Sequence, residues 1–238
     1  MTDAQRPHLL LLPGLLNDSR LWQRQIDDLA DLAAISVGDL TVADTITALA
    51  AAVLAAVPAP RFALAGLSMG GYVALEIVRQ APERVRALAL LDTTARPETS
   101  RSREARQALM ALAETDFPAV STTLLPKMVH PSRLDDVSVV ETIHAMAASV
   151  GKAAYLRQQA AIMHRADSRP FLHEIKCPTL VLCGRQDVVT PVEVHQELVD
   201  SIAGSSFTVI DQCGHLSPLG QPQQVTDALK GWLLRIAH

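Results

Sequence analysis

The chain has few aromatic side chains. Four Phe, two Trp and two Tyr make up 3% of its 238 residues. Its core, and any cavity within it, must therefore be mostly aliphatic. It also lacks a basic excess: 21 Lys and Arg stand against 25 Asp and Glu, a net charge of −4, with no basic stripe. That balance excludes nucleic acid and anionic membrane surfaces as expected partners. No run approaches the ~20 apolar residues that cross a bilayer. Leu9–Leu12 with Leu15 and Leu16 is short, is interrupted by Pro13-Gly14 and has no small-residue cleavage site after it. It is expected to be a core strand rather than a signal peptide. The three cysteines, Cys177, Cys183 and Cys213, are odd in number and fit no zinc spacing. Reduced, buried thiols in a cytoplasmic protein are expected. His8, His130, His144, His164, His173, His195 and His238 show no metal-ligand spacing and read as structural or surface residues. Neither a metal nor an organic cofactor is implied.

What the chain does have is strand–helix alternation, the pattern of a parallel, doubly wound α/β sheet in one large domain. Strands are expected near His8–Leu12, Ala34–Val37, Arg61–Leu67, Val85–Leu91, Thr179–Cys183 and Phe207–Ile210. Helices are expected near Ser19–Leu32, Val42–Val57, Met69–Gln80, Pro191–Ile202 and Pro222–Ile236. The strands are short and rich in Leu, Val and Ala, as when helices cover both faces. From Ala95 to about Arg169 strand signals stop and helical spacing takes over. Leu109, Leu112 and Ala113 share one face. Val139, Ile143, Met146 and Val150 share another, and Leu156, Ala160 and Met163 a third. The run Arg101–Arg106 reads as a solvated helix face.

One motif carries chemistry. Gly66-Leu67-Ser68-Met69-Gly70-Gly71 lies between a strand and a helix, the context of a nucleophile elbow. Side chains at 66 and 70 would collide with neighbouring elements, and the turn pushes the Ser68 hydroxyl into solvent. A serine hydroxyl needs a base within hydrogen-bond reach. His215 follows a strand on a glycine-bearing loop and has a near-neutral pKa. The base needs a carboxylate to hold its tautomer. Asp187 follows the strand before that one, while Asp92, after the strand that follows the elbow, is a second candidate acid. Asp211 lies too close to His215 in sequence for that role. Trp22 either lines a pocket mouth or packs a helix.

Leu12-Pro13-Gly14-Leu15-Leu16, the elbow, Gly184-Arg185-Gln186-Asp187 and Gly214-His215, in that order, make the chain resemble the α/β-hydrolase superfamily. Within it, the chain resembles the small cap-bearing esterases and lactonases. The resemblance spans nearly the whole chain. It implies a reduced α/β-hydrolase fold: a mainly parallel sheet of about six strands, helices on both faces and a small helical cap. It places a core domain at 1–94 and 170–238 and a cap at 95–169. Many relatives carry His-Gly where this chain has Pro13-Gly14. The oxyanion donors carried over are the backbone N–H groups of Leu15 and Met69, with Leu16 at the substrate.

The implied activity is hydrolysis of a small carboxylic ester or lactone through an acyl-enzyme. Ser68 is the nucleophile, His215 the base and Asp187 the orienting acid. Short to medium aliphatic acyl groups are expected to fit an aliphatic pocket. C–C bond hydrolysis and perhydrolysis would use the same triad, and a ligand receptor that does not turn over is the reading of another class.

Overall fold

A computed structural model describes residues 6–236; His238 lies outside the described residues. Six parallel strands, β1 His8–Leu12, β2 Ala34–Val37, β3 Phe62–Leu67, β4 Val85–Leu91, β5 Thr179–Gly184 and β6 Ser206–Ile210, form one sheet in the order β2-β1-β3-β4-β5-β6. The helices in chain order are α1 Gln23–Leu29, α2 Ile46–Ala56, α3 Met69–Gln80, α4 Ser100–Thr115, α5 Phe117–Met128, α6 Val137–Met163, α7 Val192–Ser201, α8 Ser217–Gly220 and α9 Pro222–Ile236. The fold is the six-stranded α/β architecture expected from the sequence.

Period-two alternation divides each strand between two apolar layers. Leu10, Leu12, Phe62, Leu64, Leu88 and Leu90 pack with α2, α3 and α7. Leu9, Leu11, Ala63, Ala65, Ala87 and Ala89 pack with α1 and α9. Small residues on that second face leave room for Trp22 and Trp232, both fully buried there. Trp22 is therefore a packing residue. Cys183 and Cys213 are buried free thiols, while Cys177 is half-buried.

Caps move two helix starts. The helix expected from Ser19 opens as a 3-10 turn over Ser19–Trp22, whose cap is the Asp18 carboxylate accepting from Arg20 N–H. The helix expected from Val42 starts at Ile46, because the Thr45 hydroxyl accepts from the Ala48 N–H at 3.1 Å.

Helices α4, α5 and α6 are inserted between β4 and β5. α6 breaks at Gly151, whose φ of 76° and ψ of 162° are not helical, between the two apolar faces read there from sequence. Ile143 and Met146 reach one sheet layer and Ala161 and Ile162 the other. Ala113, Val120, Ala147 and Tyr155 form a small core of their own with Leu16.

Close backbone approach supports the turn after β3. A Cβ at Gly70 would overlap the carbonyl oxygen of Leu12, and one at Gly66 would overlap the carbonyl oxygen of Gly70. We expect Gly70→Ala to cost about 3 kcal/mol of stability, since backbone cannot step aside as a side chain can. Urea unfolding measures this, and a variant as stable as the parent would contradict that packing.

Candidate active site

Ser68 joins β3 to α3 with φ 54° and ψ −114°, a conformation that costs a non-glycine residue roughly 1–3 kcal/mol. Hydrogen bonds fix it on both sides. Its N–H donates to the Leu91 carbonyl at 3.0 Å, and its carbonyl accepts from the Thr93 hydroxyl at 2.8 Å. Thr93 is held in turn by His195, whose Nε2 accepts the Thr93 N–H at 2.9 Å. A backbone N–H can only donate, so Nε2 is unprotonated and Nδ1 carries the hydrogen, facing the Pro191 carbonyl at 3.2 Å. Burial lowers the His195 pKa to about 4. His195 is thus a neutral brace beneath the elbow.

His215 Nε2 lies 2.9 Å from Ser68 Oγ, and its Nδ1 lies 2.8 Å from Asp187 Oδ2. Three segments converge here: the elbow after β3, the turn after β5 and the loop after β6. Asp187 Oδ1 accepts the N–H groups of Val189 (2.8 Å) and Thr190 (3.0 Å), and Oδ2 also accepts the Thr190 hydroxyl (2.6 Å). His215 and Asp187 are 2% and 4% exposed, so each charge depends on the other. Burial opposes ionisation of Asp187, but the adjoining imidazole outweighs it and holds the carboxyl below its ordinary value. Burial likewise opposes the imidazolium of His215, and the Asp187 carboxylate overrides it to raise the pKa above 6.5.

Asp92 sits nearby but does not touch the imidazole. It is fully buried, with φ 45°. Its Oδ1 accepts the Gly184 N–H at 3.0 Å, and its Oδ2 accepts the Ser217 N–H at 3.3 Å and the Ser217 hydroxyl. It ties the start of the Asp187 turn to a residue two positions beyond His215. Burial first, then the charge of Asp187, push it up to about 7. Asp211 is exposed and pairs with Arg185.

Opposite the histidine, Pro13-Gly14 leads into a turn in which Leu16 has φ 60°. The Leu16 N–H donates to Gln158 Oε1 at 3.1 Å, and Gln158 Nε2 donates to the Leu40 carbonyl at 3.1 Å. Gln158, fully buried on α6, thereby fastens the insert to the turn. Among the described residues, the N–H groups of Leu15 and Met69 have no hydrogen-bond acceptor. Gln158 was not singled out from sequence; its only signal is a Gln-Gln pair that follows Arg157 between apolar helical segments.

A cavity of about 520 Å³ opens over Ser68 and His215. Leu15, Leu16, Leu109, Leu124, Ile143 and Ile162 supply much of its aliphatic wall. The reading of Arg101–Arg106 as a solvated face holds for Arg101, Glu104 and Ala105, which are exposed, and is corrected for Arg106. Arg101, Ser102, Ala105 and Arg106 line the cavity, and the Arg106 guanidinium donates to buried Glu98 (2.7 Å) and to Gln159 (2.9 Å). The helix carrying them lies over the cavity, which its charge pattern alone does not reveal. Among the described residues, no cluster of His, Cys, Asp or Glu could hold a metal, and no helix is long and apolar enough to cross a membrane.

Residues 9–228 match the sequence model of the alpha/beta hydrolase family. The chain is 27% identical to 3-oxoadipate enol-lactonase 2 of Acinetobacter baylyi over 247 residues, covering 98% of this chain and 90% of that protein. It is 27% identical to the pimeloyl-[acyl-carrier protein] methyl ester esterase of Chromobacterium violaceum, over 69% of this chain and 66% of that one. Its fold superposes on a thermophilic esterase from Thermogutta terrifontis with a TM-score of 0.89 and 29% identity, covering 98% of this chain and 91% of that one.

The raised pKa of Asp92 has a consequence for stability. Between its ordinary value of 3.8 and its folded value of about 7, the native state holds a proton that the unfolded chain has lost. This contribution to stability is therefore full below about pH 4, erodes as pH rises and levels off above about 7. We expect the stability of the parent relative to Asp92→Asn to fall over that window and then flatten. Denaturant unfolding at a series of pH values tests this; a difference constant with pH would contradict it.

Proposed function

The chain belongs to the alpha/beta hydrolase family and is an ester hydrolase of that family; we propose that it cleaves a small carboxylic ester or lactone through an acyl-enzyme formed on Ser68. The observation that carries this reading is the continuous chain of contacts Ser68 Oγ–His215 Nε2 and His215 Nδ1–Asp187 Oδ2 at a strained turn beneath a cavity. The named relatives, an enol-lactonase and a methyl ester esterase, support the substrate class.

In this mechanism Ser68 Oγ attacks the scissile carbonyl carbon while His215 Nε2 takes its proton. The developing imidazolium is stabilised by Asp187, whose other bonds, to Val189 and Thr190, keep it from turning away. The tetrahedral oxyanion is received by the N–H groups of Leu15 and Met69, the latter at the N-terminal end of α3, where the helix dipole favours negative charge. Each such donor supplies about 3 kcal/mol of transition-state stabilisation. The imidazolium then gives its proton to the leaving alkoxide. A water deprotonated by His215 Nε2 attacks the acyl carbon, the acyl–Oγ bond breaks as the imidazolium returns that proton to Ser68 Oγ, and the acid departs. Residues 95–169 act as a cap that shapes the acyl site and restricts water.

Ser68→Ala is expected to reduce ester hydrolysis to background with the fold intact. Asp187→Asn should lower kcat by about 10⁴, since His215 loses its tautomer control, while Asp92→Asn should cost far less. A reversed order would move the acid role to Asp92. The base must be neutral to act, and its pKa is raised. The acid limb of kcat/KM in the parent should therefore have its midpoint above 6.5, and a limb well below that value would contradict the assignment of His215.

A further inference from the structure

The turn that carries the first candidate oxyanion donor is held in an uncommon form. The Asn17 N–H donates to the Gly14 carbonyl at 3.2 Å, which closes a turn with Leu15 and Leu16 at its centre. Leu16 has φ 60°, and φ of Leu15 is not positive. That combination is a type II turn, which favours glycine or asparagine where Leu16 stands. A leucine with positive φ is strained. A type I turn would join the same ends with the same closing bond and no positive φ. The two forms differ by a half-rotation of the peptide between Leu15 and Leu16, in which ψ of Leu15 swings from about +120° to about −30°.

What holds the strained form is a side chain of the insert. The N–H of that rotatable peptide, on Leu16, donates to Gln158 Oε1 at 3.1 Å. Rotating the peptide would leave donor and acceptor both buried and unpaired, since Leu16 is 5% and Gln158 0% exposed. That penalty is of the same order as the strain it offsets. Gln158 cannot turn over to avoid the choice. A backbone N–H only donates and a carbonyl only accepts, so Oε1 faces Leu16 while Nε2 donates to the Leu40 carbonyl at 3.1 Å. Beside it, Arg157 Nε donates to the Thr41 carbonyl at 2.9 Å. Two bonds thus seat this part of α6 on the Leu40-Thr41 segment. Gln158 is not among the residues that line the cavity, so its influence on the reaction passes through the turn.

We propose that Gln158 is a positioning residue: it selects the type II turn, thereby aims the Leu15 N–H at the oxyanion, and makes the chemical step depend on how the insert is seated. This inference rests on the esterase reading above. The Leu15 N–H is joined to the rotatable peptide through one α-carbon, so a turn that alternates between forms no longer presents it in one direction. The oxyanion develops only as the carbonyl is attacked. A misaimed donor therefore weakens the transition state and leaves the bound ester almost unaffected, and kcat and kcat/KM fall together.

The test compares Gln158→Met and Gln158→Glu with the parent on p-nitrophenyl acetate, butyrate and hexanoate over a range of pH. Gln158→Met fills the space without either bond. It should lower kcat by about 10²-fold at every pH, by the same factor for all three esters and with little change in KM. The carboxyl introduced by Gln158→Glu accepts from Leu16 and donates to Leu40 while protonated, as the amide does, and can only accept once ionised. At the acid end that variant should keep most of the parent's kcat, and its ratio to the parent should fall toward that of Gln158→Met as the carboxyl ionises. Should Gln158→Met misfold by circular dichroism, the fall of the Gln158→Glu ratio with pH, taken where that variant is folded, decides alone. An unchanged kcat in Gln158→Met, a loss that lies in KM and varies with acyl length, or a Gln158→Glu no better than Gln158→Met at any pH overturns the positioning role and leaves the esterase reading standing. Hydrolysis of the three esters that persists in Ser68→Ala overturns the esterase reading, and this proposal with it.

Discussion

The site depends on a backbone contact rather than a side-chain one. Ser68 can hold a positive φ only because α3 starts against the end of β1, with Gly70 on the Leu12 carbonyl. The strain is offset by the bonds of Ser68 to Leu91 and Thr93, and by His195 behind Thr93. Three consequences follow from this one packing. The hydroxyl stands clear of the sheet, the first N–H of α3 is left without an acceptor among the described residues, and Tyr72 is set one turn away to carry Arg165. A larger residue at 66 or 70 would disturb all three together.

Around that fixed point, the remaining pieces are tied by buried polar bonds that cross long sequence distances. Asp92 joins the Asp187 turn to the start of α8, so Asp187 and His215 are mounted on one clamp without Asp92 touching the imidazole. The Leu216 N–H donates to the Met128 carbonyl at 2.8 Å, which fastens the histidine loop to α5 of the insert. Gln158 fastens α6 to the turn carrying Leu15 and Leu16. The insert is therefore bonded to both sides of the cavity as well as packed over it. Its position and the geometry of the two candidate oxyanion donors are mechanically linked.

How much of this was legible in the sequence follows from how local each signal is. The limits of β1, β2, β4, α3 and α9 are those read from the chain, because Pro, Gly or a change of period marks their ends. Ser68, Asp187 and His215 were each visible from a short motif after a strand. The structure puts them within hydrogen-bond distance of one another, which no motif could state. Gln158 was illegible because its partner Leu16 lies 142 residues away. Asp92 was visible as a carboxylate, but its bond to Ser217 spans 125 residues, so its role could not be separated from that of Asp187. Arg106 was misread because an alternating charged run looks the same on a solvated face as on the roof of a cavity.

Covalent trapping tests the proposed nucleophile, Ser68, without recourse to a substrate. The protein is treated with a fluorophosphonate and digested with trypsin, and the modified peptide is sequenced by mass spectrometry. One phosphonyl group per chain is expected, on Ser68 within the peptide from Phe62 to Arg79, with loss of esterase activity in proportion to labelling. Inactivation with the label on another residue, or full labelling with activity retained, would contradict it.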